Sequence, residues 1–241
     1  MWIPRRNGNT PNRSQPYITL DGGATAKSWT QTIPPGLPEN GDAGWGSNFG
    51  ANRQIVCADR VFPRTFYAYS SIGGFYKYVA GQTAADGVWT KQSATVITND
   101  EGLAKIRSVP GYGGHVFVCS GAVTKSNQPY CTFMRTTDGC KTFKNILDVQ
   151  CVYAFGFGKT APGGDYPAVY FAGLYRKQWG IYRSTSRLAA WNANTVEWTK
   201  IGDYPFGSYD FITCVEGDAN IFGTVYVGFM GSGWGYYKIA S

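Results

Sequence analysis

Short phrases in which aromatic or β-branched residues alternate with polar ones recur along the whole chain, and none is long enough to make a helix of ordinary length. Four of these phrases are the most apolar: Phe66-Tyr67-Ala68-Tyr69, Val116-Phe117-Val118-Cys119, Val169-Tyr170-Phe171-Ala172 and Val225-Tyr226-Val227-Gly228. They follow one another at intervals of roughly 50 residues, an interval typical of repeat architectures. Each is preceded by a shorter strand phrase (near Ile55, Ile106, Val152 and Ile212) and followed by another (Phe75-Tyr76-Lys77-Tyr78, Thr132-Phe133-Met134-Arg135, Ile181-Tyr182-Arg183-Ser184 and Tyr236-Tyr237-Lys238-Ile239). A last phrase, an aromatic followed by polar alternation, appears at Trp29, Trp89, Phe143 and Trp198.

Four antiparallel strands per repeat of about 50 residues predict an all-β fold, a β-propeller of four-stranded blades. Residues 53–93, 104–148 and 152–203 each supply a whole blade. Residues 1–35 and 211–239 supply incomplete ones, and 36–52 form a linker, so the single domain 1–241 has about five blades. The two partial blades either combine to close a small ring or leave an arc of a larger one, whose open edges would recruit other strands. Composition agrees with many tight turns: among 241 residues are 32 glycines and 12 prolines, with 16% aromatic and only 15% charged residues.

The turn before the fourth strand carries its own signal. Thr136-Thr137-Asp138-Gly139-Cys140-Lys141-Thr142-Phe143 resembles an Asp-box, and Thr19-Leu20-Asp21-Gly22-Gly23-Ala24-Thr25 opens in the same way before a short insertion that ends at Trp29. An aspartate there accepts hydrogen bonds from the turn backbone, a glycine takes the positive φ, and the aromatic packs between sheets. Asp21, Gly22, Asp138, Gly139, Thr142 and Phe143 are therefore structural residues, not catalytic candidates. In the third blade the corresponding segment, Ser184-Thr185-Ser186-Arg187-Leu188, has lost the motif and gained an insertion.

Charge adds little. Twenty-two basic against fifteen acidic residues give a net +7, but the basic residues are dispersed, and no nucleic-acid partner is expected. No apolar run reaches the length of a membrane span, and the stretch beginning at Met1 lacks the hydrophobic core of an export signal. The six cysteines (Cys57, Cys119, Cys131, Cys140, Cys151, Cys214) show no metal-knuckle spacing, so they are read as buried thiols, and neither a metal nor a cofactor is expected. Gly158-Lys159-Thr160 is not a phosphate loop, because the required upstream glycine is Tyr153 and the residues after it cannot start a helix. The single histidine, His115, is read as a solvated turn residue. Trp45, Tyr112, Trp179 and Trp234 stand in glycine-flanked loops and are the candidates for stacking on sugar rings.

One run of motifs, in order, resembles the xyloglucanase family of glycoside hydrolases, family 74. They are Ala58-Asp59-Arg60-Val61 with Phe66-Tyr67-Ala68-Tyr69, Val109-Pro110-Gly111, the stretch from Phe155 to Tyr170, Gly180-Ile181-Tyr182-Arg183-Ser184, and the stretch from Gly217 to Gly228. The resemblance covers nearly the whole chain and corresponds to the C-terminal part of such enzymes, which place a carbohydrate cleft between two propellers. It implies a polysaccharide partner and an extracellular, surface or particle-associated location. The family's two catalytic aspartates lie in phrases upstream of the matched region, and the nearest local phrase, Ser71-Ile72-Gly73-Gly74-Phe75, has serine where the acid would stand. The resemblance therefore implies a non-catalytic or catalytically incomplete module that binds carbohydrate or serves a structural role. The alternatives are a hydrolase completed by a longer precursor or second chain, and an assembly component of a particle or surface layer that self-associates through open blade edges.

Overall fold

The protein is described from a computed structural model that places residues 1, 16–37, 55–70, 72–97, 104–121, 132–203 and 211–238. The candidate Trp45, the partial strand near Trp2, Cys131 and most of the 36–52 linker lie outside these residues.

The described residues are almost entirely β. A two-stranded sheet joins β1 (Tyr17–Ile18) to β2 (Thr30–Gln31). Next in the chain is a four-stranded antiparallel sheet, with β3 (Val56–Ala58), β4 (Thr65–Ser70), β5 (Gly74–Val79) and β6 (Val88–Ser93) adjacent in chain order. Another comprises β7 (Lys105–Ser108), β8 (Val116–Cys119), β9 (Phe133–Thr136) and β10 (Lys144–Asn145), again with chain neighbours side by side. A further four-stranded sheet holds β11 (Val149–Gly158), β12 (Ala168–Tyr175), β13 (Gln178–Ser184) and β14 (Thr199–Gly202). The last sheet has three strands: β15 (Ile212–Gly217), β16 (Thr224–Phe229) and β17 (Trp234–Lys238). The strands fall where the alternating phrases place them. Among the described residues no helix is long and apolar enough to cross a membrane.

Residue choice follows position within each sheet. The second strands are apolar on both faces, and every residue of β4 and of β12 is buried. The fourth strands β6, β10 and β14 alternate or are polar throughout and lie largely exposed. A strand covered on both faces needs continuous apolar residues, whereas an outer strand needs only one apolar side.

Packing divides the chain into two compact units: Met1–Val118 with Arg135–Phe143, and Cys119–Met134 with Lys144–Ser241. In the first, Ile18 of β1 packs with Phe66, Tyr78, Ala80 and Ala84, flanked by Met1 and Trp89, and Phe143 packs on Phe75 with ring centroids 4.5 Å apart. In the second, Ala154, Ala168, Tyr170 and Ala172 meet Ile212, Val215, Val225 and Val227, so that one face of the last sheet is buried against its predecessor. This approach is close enough to demand glycine: a Cβ at Gly156 would lie 2.1 Å from the carbonyl oxygen of Val215. Phe133 and Trp198 pack on Phe171, the latter edge-on at 4.6 Å.

The third turn departs from its counterparts through a helix. The inserted residues after Ser184 form α1 (Leu188–Ala193), which buries Trp191 against Tyr166 and ends at Asn194 in the left-handed conformation, φ 59°. The residue preceding the helix is Arg187, which provides no side-chain cap. Asp165, in the β11–β12 connection, accepts from the Leu188 amide at 2.9 Å and replaces it.

Candidate functional site

The first question for a chain resembling a glycoside hydrolase is what its carboxylates do. At the turn before β10, Thr136 Oγ1 donates to Asp138 Oδ1 at 2.7 Å and accepts from the amides of Asp138 and Cys140. Asp138 Oδ1 also accepts from the amides of Lys141 and Thr142, both at 3.0 Å, and Oδ2 accepts from Thr142 Oγ1 at 2.6 Å. Gly139 and Cys140 both have positive φ, 71° and 72°. The turn before β2 has nearly the same wiring: Thr19 Oγ1 donates to Asp21 Oδ1, and the Gly23 amide donates to both Thr19 Oγ1 and Asp21 Oδ1. Gly22 and Gly23 take φ 73° and 76°. Cys140 thus occupies a left-handed position that its counterpart fills with glycine. These hydrogen bonds favour the ionised form, holding Asp138 below the usual carboxylate range and Asp21 at about 2.

A second recurring turn lies at the same ends of the sheets, between first and second strands. Asp59 Oδ1 accepts from the amides of Val61 and Phe62, both at 2.8 Å, while Oδ2 accepts from Tyr67 Oη at 2.9 Å. Asp218 repeats this with the amides of Asn220 and Ile221, at 2.7 and 2.9 Å, and with Tyr226 Oη at 3.3 Å. Both turns are tied to the next or preceding hairpin. The Gly114 amide donates to Asp59 Oδ2 at 2.8 Å, and Lys159 donates its amide to the Asp218 carbonyl and its Nζ to the Asn220 carbonyl. The Gly-Lys-Thr segment is thus a structural clasp. Sequence reasoning missed the role of Asp59 and Asp218, although the signal is present: Asp59, Thr65 and Tyr67 repeat at the spacing of Asp218, Thr224 and Tyr226.

The other described aspartates are also engaged. Asp86 accepts from the amides of Gln82 and Thr83, Asp165 from Leu188, Asp148 pairs with Arg176 at 3.0 Å, and Asp203 pairs with Lys200 at 2.7 Å. Bonding to Lys200 lowers the Asp203 pKa, and backbone amides lower that of Asp218. Glycosidase chemistry requires a carboxylic acid that stays protonated long enough to give its proton to the leaving oxygen. Asp21, Asp138, Asp203 and Asp218 are all shifted the other way.

The aromatic candidates separate. Tyr112 is half-buried, its ring 5.2 Å from that of His115. His115 itself is half-buried, and burial pushes its pKa down. Trp179 is half-buried and stacks on Tyr153 at 5.6 Å, with Phe211 edge-on to the same tyrosine. Trp234 alone among the described candidates is widely exposed, and it stands with Tyr226 and Tyr236 at 6.0 and 6.2 Å. A shallow cavity of about 350 Å³ in the second unit, lined in part by Thr132, Asn145, Leu147 and Asp148, contains none of these aromatics.

The cysteines require a correction. Cys119 and Cys140 are buried free thiols, Cys57 is half-buried and Cys214 is exposed, but Cys151 is disulfide-bonded. Spacing does not reveal pairs that only the fold brings together. Burial pushes the Cys57 thiol up to about 12, which makes it inert. Among the described residues no group of three or more histidine, cysteine or acidic side chains is placed to hold a metal ion.

No protein-family model matches the chain. Individual relatives do. Xyloglucanase Xgh74A of Acetivibrio thermocellus is 30% identical over 234 residues, covering 96% of this chain and 23% of that protein. A xyloglucanase of a Paenibacillus species is 30% identical over 230 residues, covering 91% of this chain and 21% of that one. Among solved structures, the GH74 xyloglucanase from Xanthomonas campestris aligns with a TM-score of 0.61 at 27% identity over 95% of this chain and 27% of the enzyme. The GH74 enzyme of Niastella koreensis shares the fold at a TM-score of 0.60 and 24% identity, over 93% of this chain and 28% of that one. The chain spans about a quarter of the length of the curated relatives it matches. Over nearly its whole length it is similar to one part of these family 74 xyloglucanases.

Proposed function

We propose that the chain is a set of β-propeller blades with no catalytic acid among its described aspartates, working as a structural interaction module. The observation that carries this reading is the engagement of all eight described aspartates, Asp21, Asp59, Asp86, Asp138, Asp148, Asp165, Asp203 and Asp218, in turns, a helix cap or ion pairs. In this reading the turns at Asp21 and Asp138 are Asp-boxes, which close the third and fourth strands of a blade. Retained turn chemistry preserves the scaffold of a carbohydrate-active enzyme, while its reaction requires carboxylates placed elsewhere.

A glycan-binding role is the second reading, favoured by the half-exposed Trp179, which stacks on Tyr153 next to the Arg176-Lys177 turn. Incubation with xyloglucan and other β-glucans tests the principal reading. Reducing ends are expected to stay at the buffer level. Turnover that disappears on substitution of one local carboxylate would overturn it. Retardation of the chain in gels containing xyloglucan, relieved by Trp179→Ala, would establish the second reading.

A further inference from the structure

The last sheet packs Val225 and Val227 of one face against its predecessor, while Tyr226, Trp234 and Tyr236 of the other face are exposed. Register identifies equivalent residues on the corresponding face of the earlier sheets. Tyr226 is paired with Tyr236 and Gly228 with Trp234. In the preceding repeat Tyr170 is paired with Arg183 and Ala172 with Ile181, and in the first complete sheet Tyr67 is paired with Lys77 and Tyr69 with Phe75. In those sheets the positions are largely covered: Tyr67 and Tyr170 are each 1% exposed, Phe75 is fully buried, and Lys77, Ile181 and Arg183 are half-buried. The covering atoms come from later strands and turns of the chain, Phe143 on Phe75 and the β15–β16 residues Val215, Val225 and Val227 around Tyr170. In the last sheet the equivalents are open, with Tyr226 38%, Trp234 68% and Tyr236 67% exposed. Soluble proteins seldom leave large aromatics clustered in water unless something binds there.

We infer that this face, Tyr226, Trp234 and Tyr236, is a docking surface for a second copy of this chain. The inference rests on the reading of the sheets as propeller blades, since that reading makes the face an inter-blade surface awaiting another sheet. One feature favours a second copy: the exposed row along β17 is self-complementary. Trp234, Tyr236 and Lys238 are alternate residues on one side of the strand, so a two-fold axis through Tyr236 brings each copy's Lys238 to the other's Trp234. That contact is a cation on an indole face, with the tyrosines meeting at the centre.

Sedimentation velocity of the full chain over a concentration series tests the inference. The 26.4 kDa chain is expected to shift to twice its mass as concentration rises. Trp234→Ser with Tyr236→Ser should weaken association by about tenfold or more, and Lys238→Glu should weaken it less. Val88→Ser on the exposed strand β6 should leave it unchanged. Circular dichroism checks that each variant is folded, since all the altered side chains are exposed. A chain that stays monomeric at every concentration overturns the inference, as does a dimer that persists in the double variant. A monomer retarded by xyloglucan in gels, with retardation lost in Trp234→Ser, overturns it in favour of a glycan platform. None of these outcomes bears on catalysis, whereas xyloglucan turnover would overturn the non-catalytic reading whatever the oligomeric state.

Discussion

The Gly114 amide donates to Asp59 Oδ2 at 2.8 Å, joining two hairpins separated by 55 positions in the chain. The same oxygen accepts from Tyr67, the Gly114 carbonyl accepts from the Gly139 amide, and Phe62 lies so close to Gly113 that a Cβ there would clash with its ring. One carboxylate therefore sets two backbone turns and a tyrosine. Replacing Asp59 with alanine leaves the buried Gly114 amide without its acceptor, and an unmade buried hydrogen bond costs about 1–3 kcal/mol. Hydrogen exchange at Gly114 should accelerate well beyond the average change in the sheet. An unchanged exchange rate would show that the bond holds nothing in place.

Thr136 is the buried half of the turn at Asp138, where its hydroxyl serves two amides and donates to the carboxylate. Thr136→Val keeps the shape and removes the hydroxyl. The expected loss is again about 1–3 kcal/mol, at about 2–4 °C of Tm per kcal/mol for a chain of this size. Thr136→Ser should restore most of it. Equal melting temperatures for the valine and serine variants would rule out a hydroxyl role.

Acid should destabilise the protein over a defined window. Asp21, Asp138, Asp203 and Asp218 all have folded pKa values below their ordinary value of 3.8, with Asp21 at about 2. A depressed folded pKa contributes stability that is fully present above the unfolded value and is lost as pH falls through the folded one. Melting temperature should therefore fall as pH drops from about 4 towards 2, and Asp138→Asn should flatten that fall. A Tm that stays constant over this window would contradict the assignment.

Trp191 anchors the inserted helix, fully packed and donating its Nε1 proton to the Ser186 carbonyl at 3.1 Å. Trp191→Ala should cost about 3–5 kcal/mol, as large-to-small core changes do. Asp165→Ala, which removes only the borrowed cap, should cost about 0.5–2 kcal/mol. Chemical denaturation of the two variants checks the order, and the reverse order would show that the cap holds the helix in place.

Strands were legible because alternation and apolar runs report directly on how many faces a strand buries. Tyr67 and Tyr170 could be placed in inner strands, and Trp89 and Trp198 at the start of outer ones, from local pattern alone. The turns at Asp21 and Asp138 were legible for the same reason, since every group they use lies within a few residues. Bonds that span sheets were not: Asp59 to Gly114, Lys159 to Asn220 and Asp165 to Leu188 depend on chain segments meeting in space. Helix α1 was hidden in a segment that looked like a degraded turn, and the disulfide at Cys151 gave no signal in spacing. Of the aromatic candidates, exposure separates Trp234 from Tyr112 and Trp179, and exposure depends on which neighbour is absent.

The central claim is that these aspartates build turns and ion pairs and do not donate protons to a sugar. Carboxyl carbon NMR titration of Asp21, Asp138, Asp203 and Asp218 tests it most directly. All four are expected to titrate below the ordinary carboxylate value, Asp21 the lowest at about 2. Any one of them titrating near neutral pH, in the range a general acid needs, would contradict the account.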